Sequence, residues 1–246
     1  MQNCKSSELP MQPKLQLNDS NDTCIQKPYK ELLGCLIYIM QGTRPDISYC
    51  ITYFSQFQNC FSNAHWEYLK GVLRYLKLTE KFVLKFKKKN YNNINLIAYA
   101  DSDFANSKDR KSVTGYVIKL NGNAISWRTK KQEMVSLSSA EAEYIALSVC
   151  ITESLFVAQM LSEILNKNMY PIHLYEDNQA CIKMSTTLET KRTKHIDIKY
   201  QFVKDCVSKG QIKLNYIPTE QQQGDIFTKA LPKIKFKYLR NLLNLE

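Results

Sequence analysis

Four short strings place a carboxylate where a strand pattern ends or a helix pattern begins: Ala98-Tyr99-Ala100-Asp101-Ser102-Asp103, Ser138-Ser139-Ala140-Glu141-Ala142-Glu143, Leu174-Tyr175-Glu176-Asp177-Asn178 and Gly224-Asp225-Ile226-Phe227-Thr228-Lys229. Taken singly, each acid has a plain structural account. Asp101 suits a solvated Asx-turn. Ser138 and Glu141 make a capping box, which gives Glu141 a task at a helix start and leaves Glu143 without one. Asp177 and Asp225 can each cap the helix that follows. Taken together, the four fit one chemistry. Hydrolysis of a phosphodiester by two divalent ions about 4 Å apart needs three or four carboxylates on rigid elements, one ion activating water and the other stabilising the leaving oxygen. An all-oxygen ligand set selects Mg²⁺, or Mn²⁺, over softer metals.

The elements that must position these acids follow from periodicity. Apolar strands are predicted over Ile94–Ala100, Thr114–Leu120 and Ala124–Trp127, the last two joined by the hairpin signal Asn121-Gly122-Asn123. A long helix is predicted over Ser139–Leu165, a short strand over Ile172–Tyr175, helical stretches over about 178–208 and a last strand over Ile212–Ile217. Hairpin strands followed by strand, helix, strand and helix imply an α/β mixed sheet with helices on its faces. If the strands ending at Asp101 and Asp177 are parallel neighbours, both acids reach one edge of the sheet, with Glu143 delivered by a helix start.

Upstream, Leu32, Leu33, Leu36, Ile37, Ile39 and Met40 recur at helical spacing. Pro45 interrupts before Ile47, Ile51, Phe54 and Phe57, and a third helix aligns Trp66, Leu69, Val72, Leu73 and Leu76. The segment Phe82–Lys89 alternates apolar residues with lysines, as an edge strand or a basic connector would. Residues 1–27 are polar, as in an unfolded tail. The expected organisation is therefore a disordered tail over 1–27, a small helical unit over 28–90 and an α/β domain over 91–240.

The chain has 246 residues and a formal net charge of +11, which favours an anionic partner such as nucleic acid. At 44% hydrophobic with 15 Tyr and 10 Phe it can bury a core, so wholesale disorder is not expected. Its eight cysteines form no Cys-x-x-Cys pair, which argues against a structural zinc site and fits a reducing compartment. The N-terminus has no apolar signal core, and no run approaches the 18 or so apolar residues expected of a bilayer span. A soluble intracellular protein without a membrane partner is expected.

The strings TRPDISY, HWEYLKGVLRYLK, YADSDFA, DRKSVTGYV, ISWRTKKQ, SLSSAEAEYIAL, YEDNQACI, TKHIDIKYQFVKD and GDIFTKAL resemble, in order, the C-terminal part of the Pol polyprotein of copia-type retrotransposons, the end of the reverse transcriptase followed by ribonuclease H. The resemblance implies a ribonuclease H-like five-stranded mixed sheet flanked by helices, behind a small helical unit. It also implies an acidic tetrad that binds two Mg²⁺ and cuts the RNA strand of an RNA–DNA hybrid. Transferred to matching positions, the tetrad is Asp101, Glu143, Asp177 and Asp225, although Gly224 stands where the family usually has Ala. In an intact element the rest of the Pol polyprotein would be a partner, within a cytoplasmic virus-like particle or the nucleus.

His195, in the family-like string TKHIDIKY, is a candidate for proton transfer near the metals or, on the simpler reading, part of a helix face. His65 beside Trp66 and His173 inside a strand pattern read as packing residues. Arg110, Lys111, Arg128, Lys130, Lys131, Lys191, Arg192 and Lys194 are expected to contact substrate phosphates, although any one of them alone would simply be solvated. Nothing upstream resembles the paired aspartates of a polymerase palm, so DNA synthesis is not expected. The competing readings are a catalytically inactive relic that at most binds nucleic acid, and a DNA-cutting integrase-like enzyme. Against the second stands the four-acid pattern with Glu143 on the first long helix, which resembles ribonuclease H.

Overall fold

A computed structural model of the chain describes residues 4–18, 26–88, 94–186 and 194–246. It resolves into two compact units, one formed by Met1–Lys85 with Lys229–Glu246 and the other by Phe86–Thr228. The sequence expectation ran the second unit on to residue 240. In the structure the last helix folds with the N-terminal helices instead.

In the second unit the α/β expectation is met by a five-stranded mixed sheet flanked by helices. Its strands are β1 (Leu96–Asp103), β2 (Val113–Leu120), β3 (Asn123–Lys131), β4 (Ile172–Glu176) and β5 (Ile212–Tyr216), in the order β3-β2-β1-β4-β5. β1, β2 and β3 are antiparallel, whereas β4 runs parallel to β1 and β5 parallel to β4. The β2–β3 connection is tight because Asn121 and Gly122 both take positive φ, 51° and 84°, the geometry for which Asn-Gly is suited.

The helices of this unit are α4 (Ser139–Leu165), α5 (Gln179–Thr186) and α6 (Lys194–Ser208). α4 lays Tyr144, Leu147, Cys150 and Ile151 on the sheet beside Ala98, Ala100, Ile118, Ile172 and Leu174. Tyr144 stacks on Tyr200 of α6 with ring centroids 4.1 Å apart, and Tyr99 stacks on Tyr175 at 5.0 Å. α4 is, by length and composition, apolar enough to cross a membrane, contrary to the sequence expectation that no segment was. Here half of its most apolar window is buried within the fold, as in the core helix of a globular domain.

The first unit holds α1 (Tyr29–Gly42), α2 (Ser48–Ser55), α3 (Asn63–Leu78) and α7 (Lys233–Leu242). Its interior contains a charged network. The Arg44 guanidinium donates two hydrogen bonds to Asp46, at 2.9 and 2.8 Å, and two to Thr79, one to its hydroxyl and one to its carbonyl, and the Tyr75 hydroxyl donates to the Asp46 carboxylate. Arg240 of α7 reaches the Tyr75 hydroxyl at 3.2 Å. His65 is structural, as expected, its Nδ1 accepting from the Ser62 backbone at α3's start. Within the Lys-rich segment after α3, Leu84 forms an antiparallel bridge with Leu245. Residues 4–18 depart from the unfolded tail expected there, since Pro10 and Met11 are buried. A polar composition concealed a few apolar anchors.

Candidate functional site

Asp101 lies within β1, paired opposite Gly115, rather than in a turn after it. A carboxylate only 2% exposed in a central strand needs donors. One is the Thr228 hydroxyl, which donates to Asp101 Oδ2. Thr228 belongs to the segment after β5, where a 3-10 turn over Gln223–Phe227 packs on β1 and β2. Gln222 fastens that segment, its Nε2 donating to the Ala100 carbonyl at 2.8 Å and its Oε1 accepting from Gly224 N at 3.1 Å. Gly224 sits so close that a Cβ there would be 2.6 Å from Asp101 Cβ and 3.0 Å from Asp101 N. That contact gives the glycine, where the family resemblance expected alanine, a physical reason.

Glu143 comes from the second turn of α4. The helix start is capped as the sequence predicted, with Ser138 Oγ accepting from Glu141 N at 3.2 Å. The Glu141 carboxylate, however, turns back to Leu137 N at 2.9 Å. Glu141 is thus occupied by capping, whereas Glu143 is buried and takes no part in the cap.

Asp177 follows the last residue of β4, and the parallel register that sets Tyr99 beside Tyr175 brings the ends of β1 and β4 together. It is not the cap of α5. That task falls to Asn178, whose Oδ1 accepts from Cys181 N at 3.1 Å. Freed from capping, Asp177 joins Asp101 and Glu143 in a group whose ligand oxygens all lie within 4.8 Å of one another. Three carboxylates so close, two of them buried, repel strongly unless a cation or protons intervene. Oxygen donors from three separate elements suit a hard divalent ion, so these residues fit the expected Mg²⁺ or Mn²⁺.

A further acid, missed in the sequence, lies beside the group. Glu176 is fully buried, because Ile172, Leu174 and Glu176 share the inward face of β4. Its Oε1 accepts from Asn178 N at 3.1 Å, while Oε2 has no hydrogen-bond partner among the described residues. Burial holds its carboxyl well above the usual range. The Asn178 N–H acts in the opposite direction, and the charges of Asp101 and Asp177 add to the rise. Burial likewise pushes up the Cys181 thiol, with Glu176, Glu143 and Asp177 adding to it. The one sequence signal that could have found Glu176 is the period-two alternation of β4, which puts it on the same face as Ile172 and Leu174.

Of the other predicted residues, Asp225 is fully buried inside the 3-10 turn and caps no helix, and it is outside the three-acid group. Arg110 is exposed in a left-handed conformation with φ 57°, Lys111 is half-buried, and Arg128 is exposed on β3. Two of the basic candidates are ion-paired, Lys130 with Glu133 at 2.8 Å and Lys131 with Asp109 at 2.9 Å. Lys191 and Arg192 lie outside the described residues. Lys194 and His195 begin α6, but their side chains also lie outside the description. His173 is half-buried in β4, with Asn215 Nδ2 3.4 Å from its Nδ1.

With the site in place, comparison with known proteins is informative. No protein-family model matches the chain. The retrovirus-related Pol polyprotein from transposon TNT 1-94 of Nicotiana tabacum is 34% identical over 257 residues, covering 100% of this chain and 19% of that protein. The corresponding polyprotein from transposon RE1 of Arabidopsis thaliana is 34% identical over 232 residues, covering 93% of this chain and 16% of its own length. Secreted RxLR effector protein 161 of Plasmopara viticola is 41% identical over 131 residues, 53% of this chain and 91% of that protein. Among solved structures, the N-terminal ribonuclease H domain of a Mycobacterium tuberculosis protein, fused to maltose-binding protein, aligns with a TM-score of 0.43 at 9% identity, over 61% of this chain and 98% of that one. The chain spans about a fifth of the Pol polyproteins it matches. Sequence identity along nearly its whole length makes it a member of the copia-type retrotransposon Pol polyprotein family.

Proposed function

We propose that the Phe86–Thr228 unit is a metal-dependent ribonuclease H, hydrolysing the RNA strand of RNA–DNA hybrids. The observation that carries this reading is the convergence of Asp101, Glu143 and Asp177 from β1, α4 and the end of β4 to within 4.8 Å. These three would hold divalent cations, Mg²⁺ or Mn²⁺. A cation held there would supply Lewis-acid stabilisation of charge on the phosphoryl oxygens and activation of water for attack on phosphorus.

The chain's own residues have separable tasks. Thr228 fixes the Asp101 carboxylate through its hydroxyl, and Asn178 takes over helix capping so that Asp177 is free. Asp225, the fourth acid of the family pattern, would contribute from the segment that Gln222 fastens to β1. Arg110, Lys111 and Arg128 are the described cations best suited to phosphates, because Lys130 and Lys131 are engaged by Glu133 and Asp109. A hybrid would be read by groove shape and 2′-hydroxyls, so sequence preference is expected to be low. The test is cleavage of a labelled hybrid with Mg²⁺, with Mn²⁺ and with EDTA. Metal-dependent cutting of RNA within the hybrid supports the reading, and binding without cutting favours a relic that retains only nucleic-acid affinity.

A further inference from the structure

We propose that Gln132 is a positioning residue for the acid cluster, its side-chain amide holding the helix start that carries Glu143 against the strand that carries Asp101. The proposal rests on the metal-binding reading above. Gln132 follows β3 and is buried, its backbone N–H donating to the Ser112 carbonyl at 2.8 Å. Its side chain reaches three elements at once. Nε2 lies 3.0 Å from the Ala142 carbonyl of α4, 3.1 Å from Thr114 Oγ1 of β2 and 3.3 Å from Ser102 Oγ of β1. Oε1 accepts from Ser136 Oγ at 3.0 Å. The amide orientation is forced, since the Ala142 carbonyl can only accept and must therefore face the NH₂ group.

Two of these contacts adjoin the cluster, because Ser102 follows Asp101 and Ala142 precedes Glu143 in the chain. Capping does not account for the arrangement. Ser138 and Glu141 already serve the helix start, and a carbonyl has two lone pairs, one for its helix and one for Gln132. The need for a tie is electrostatic. When both are ionised and no cation lies between them, Asp101 and Glu143 repel, and that repulsion acts to part β1 from the first turns of α4. A buried amide bonded on both sides resists it with no charge of its own.

A purely structural role would cost stability alone, whereas a positioning role also weakens cation binding. The experiment is Mn²⁺ titration calorimetry on the full chain, with thermal melts, for the wild type, Q132M, T114V and V203A. Val203 is a core residue of α6 away from the network, so V203A controls for lost stability. Q132M is expected to weaken Mn²⁺ binding about tenfold, the lower end of the cost of losing a residue that supports metal ligands. V203A is expected to leave binding unchanged at a comparable melting temperature. T114V removes one acceptor with little change of shape and should move binding the same way by less, which keeps the test open should Q132M fail to fold. Affinities for Q132M and T114V equal to that of V203A overturn the proposal. A wild type that binds no Mn²⁺ overturns the metal-binding reading itself, and the proposal with it.

Discussion

A single methyl group on Gly115 tests how the segment after β5 supports the first acid. Gly115 pairs with Asp101 across β1 and β2. A Cβ built there meets Thr228 Cγ2 at 2.6 Å, Phe227 Cβ at 2.7 Å and the Phe227 carbonyl carbon at 3.0 Å. Carbon atoms prefer roughly 3.5–4.0 Å, so the segment must retreat by about an ångström. Rotamer changes cannot absorb this, because one of the clashing atoms is backbone and Phe227 is fully buried. The retreat strains the bond from Thr129 Oγ1 to the Phe227 carbonyl, 2.7 Å, and the one from Thr228 to Asp101. Overpacking costs about 1–3 kcal/mol and each hydrogen bond about 1 kcal/mol, against a gain of roughly 0.5–1 kcal/mol for alanine over glycine in a strand. Loss wins, and G115A is expected to lower stability by about 3 kcal/mol. Urea denaturation of the W66F background, in which Trp127 on β3 is the remaining tryptophan, followed by fluorescence and far-ultraviolet circular dichroism, reads this directly. A change under about 0.5 kcal/mol, the scale of an ordinary surface substitution, would refute the packing of Phe227 and Thr228 against β2.

Other perturbations separate chemistry from folding. D101N and D177N each remove a ligand oxygen's charge without removing volume, and are expected to cut hybrid cleavage by at least about a hundredfold with the circular dichroism spectrum intact; normal cleavage by either would remove that acid from the site. Glu176, with its folded pKa raised above 4.5, lends stability that is full below pH 4.5 and lost as pH rises through the folded value. E176Q in EDTA should therefore be more stable than the wild type at pH 8, with the gap closing toward pH 4; a gap independent of pH would contradict the burial of that carboxyl. In the first unit, D46A strands the buried Arg44 guanidinium and should cost about 3–5 kcal/mol by chemical denaturation, whereas a loss under 1 kcal/mol would show that the network is exposed to water.

Local signals in the sequence carried much of the fold. Ser138 ahead of a long apolar helix located the start of α4, and Asn121-Gly122 located the hairpin because few other residues tolerate two positive φ angles. Three of the four acids read from strand ends and helix starts do converge. What local reading missed depends on distant partners. Asp101-Ser102-Asp103 looks like a turn, yet it completes β1, with Asp101 sheltered by Thr228, 127 residues away along the chain. Asp225 looks like a helix cap but is drawn into a buried turn by the Gln222 bond to Ala100, which spans 122 residues. Asp177 and Asn178 are equally good caps by type, and only the geometry gives the task to Asn178. Gln132 among lysines offered no local sign of the three elements it joins.

Cleavage of an end-labelled RNA–DNA hybrid by the full chain, beside single-stranded RNA and duplex DNA, with Mg²⁺, Mn²⁺ or EDTA, is the most direct measurement. Cutting of RNA only within the hybrid, only with metal, and abolished in D101N is the expected result. Metal-independent cutting, or hybrid left intact by a folded chain that binds it, would contradict a ribonuclease built on Asp101, Glu143 and Asp177.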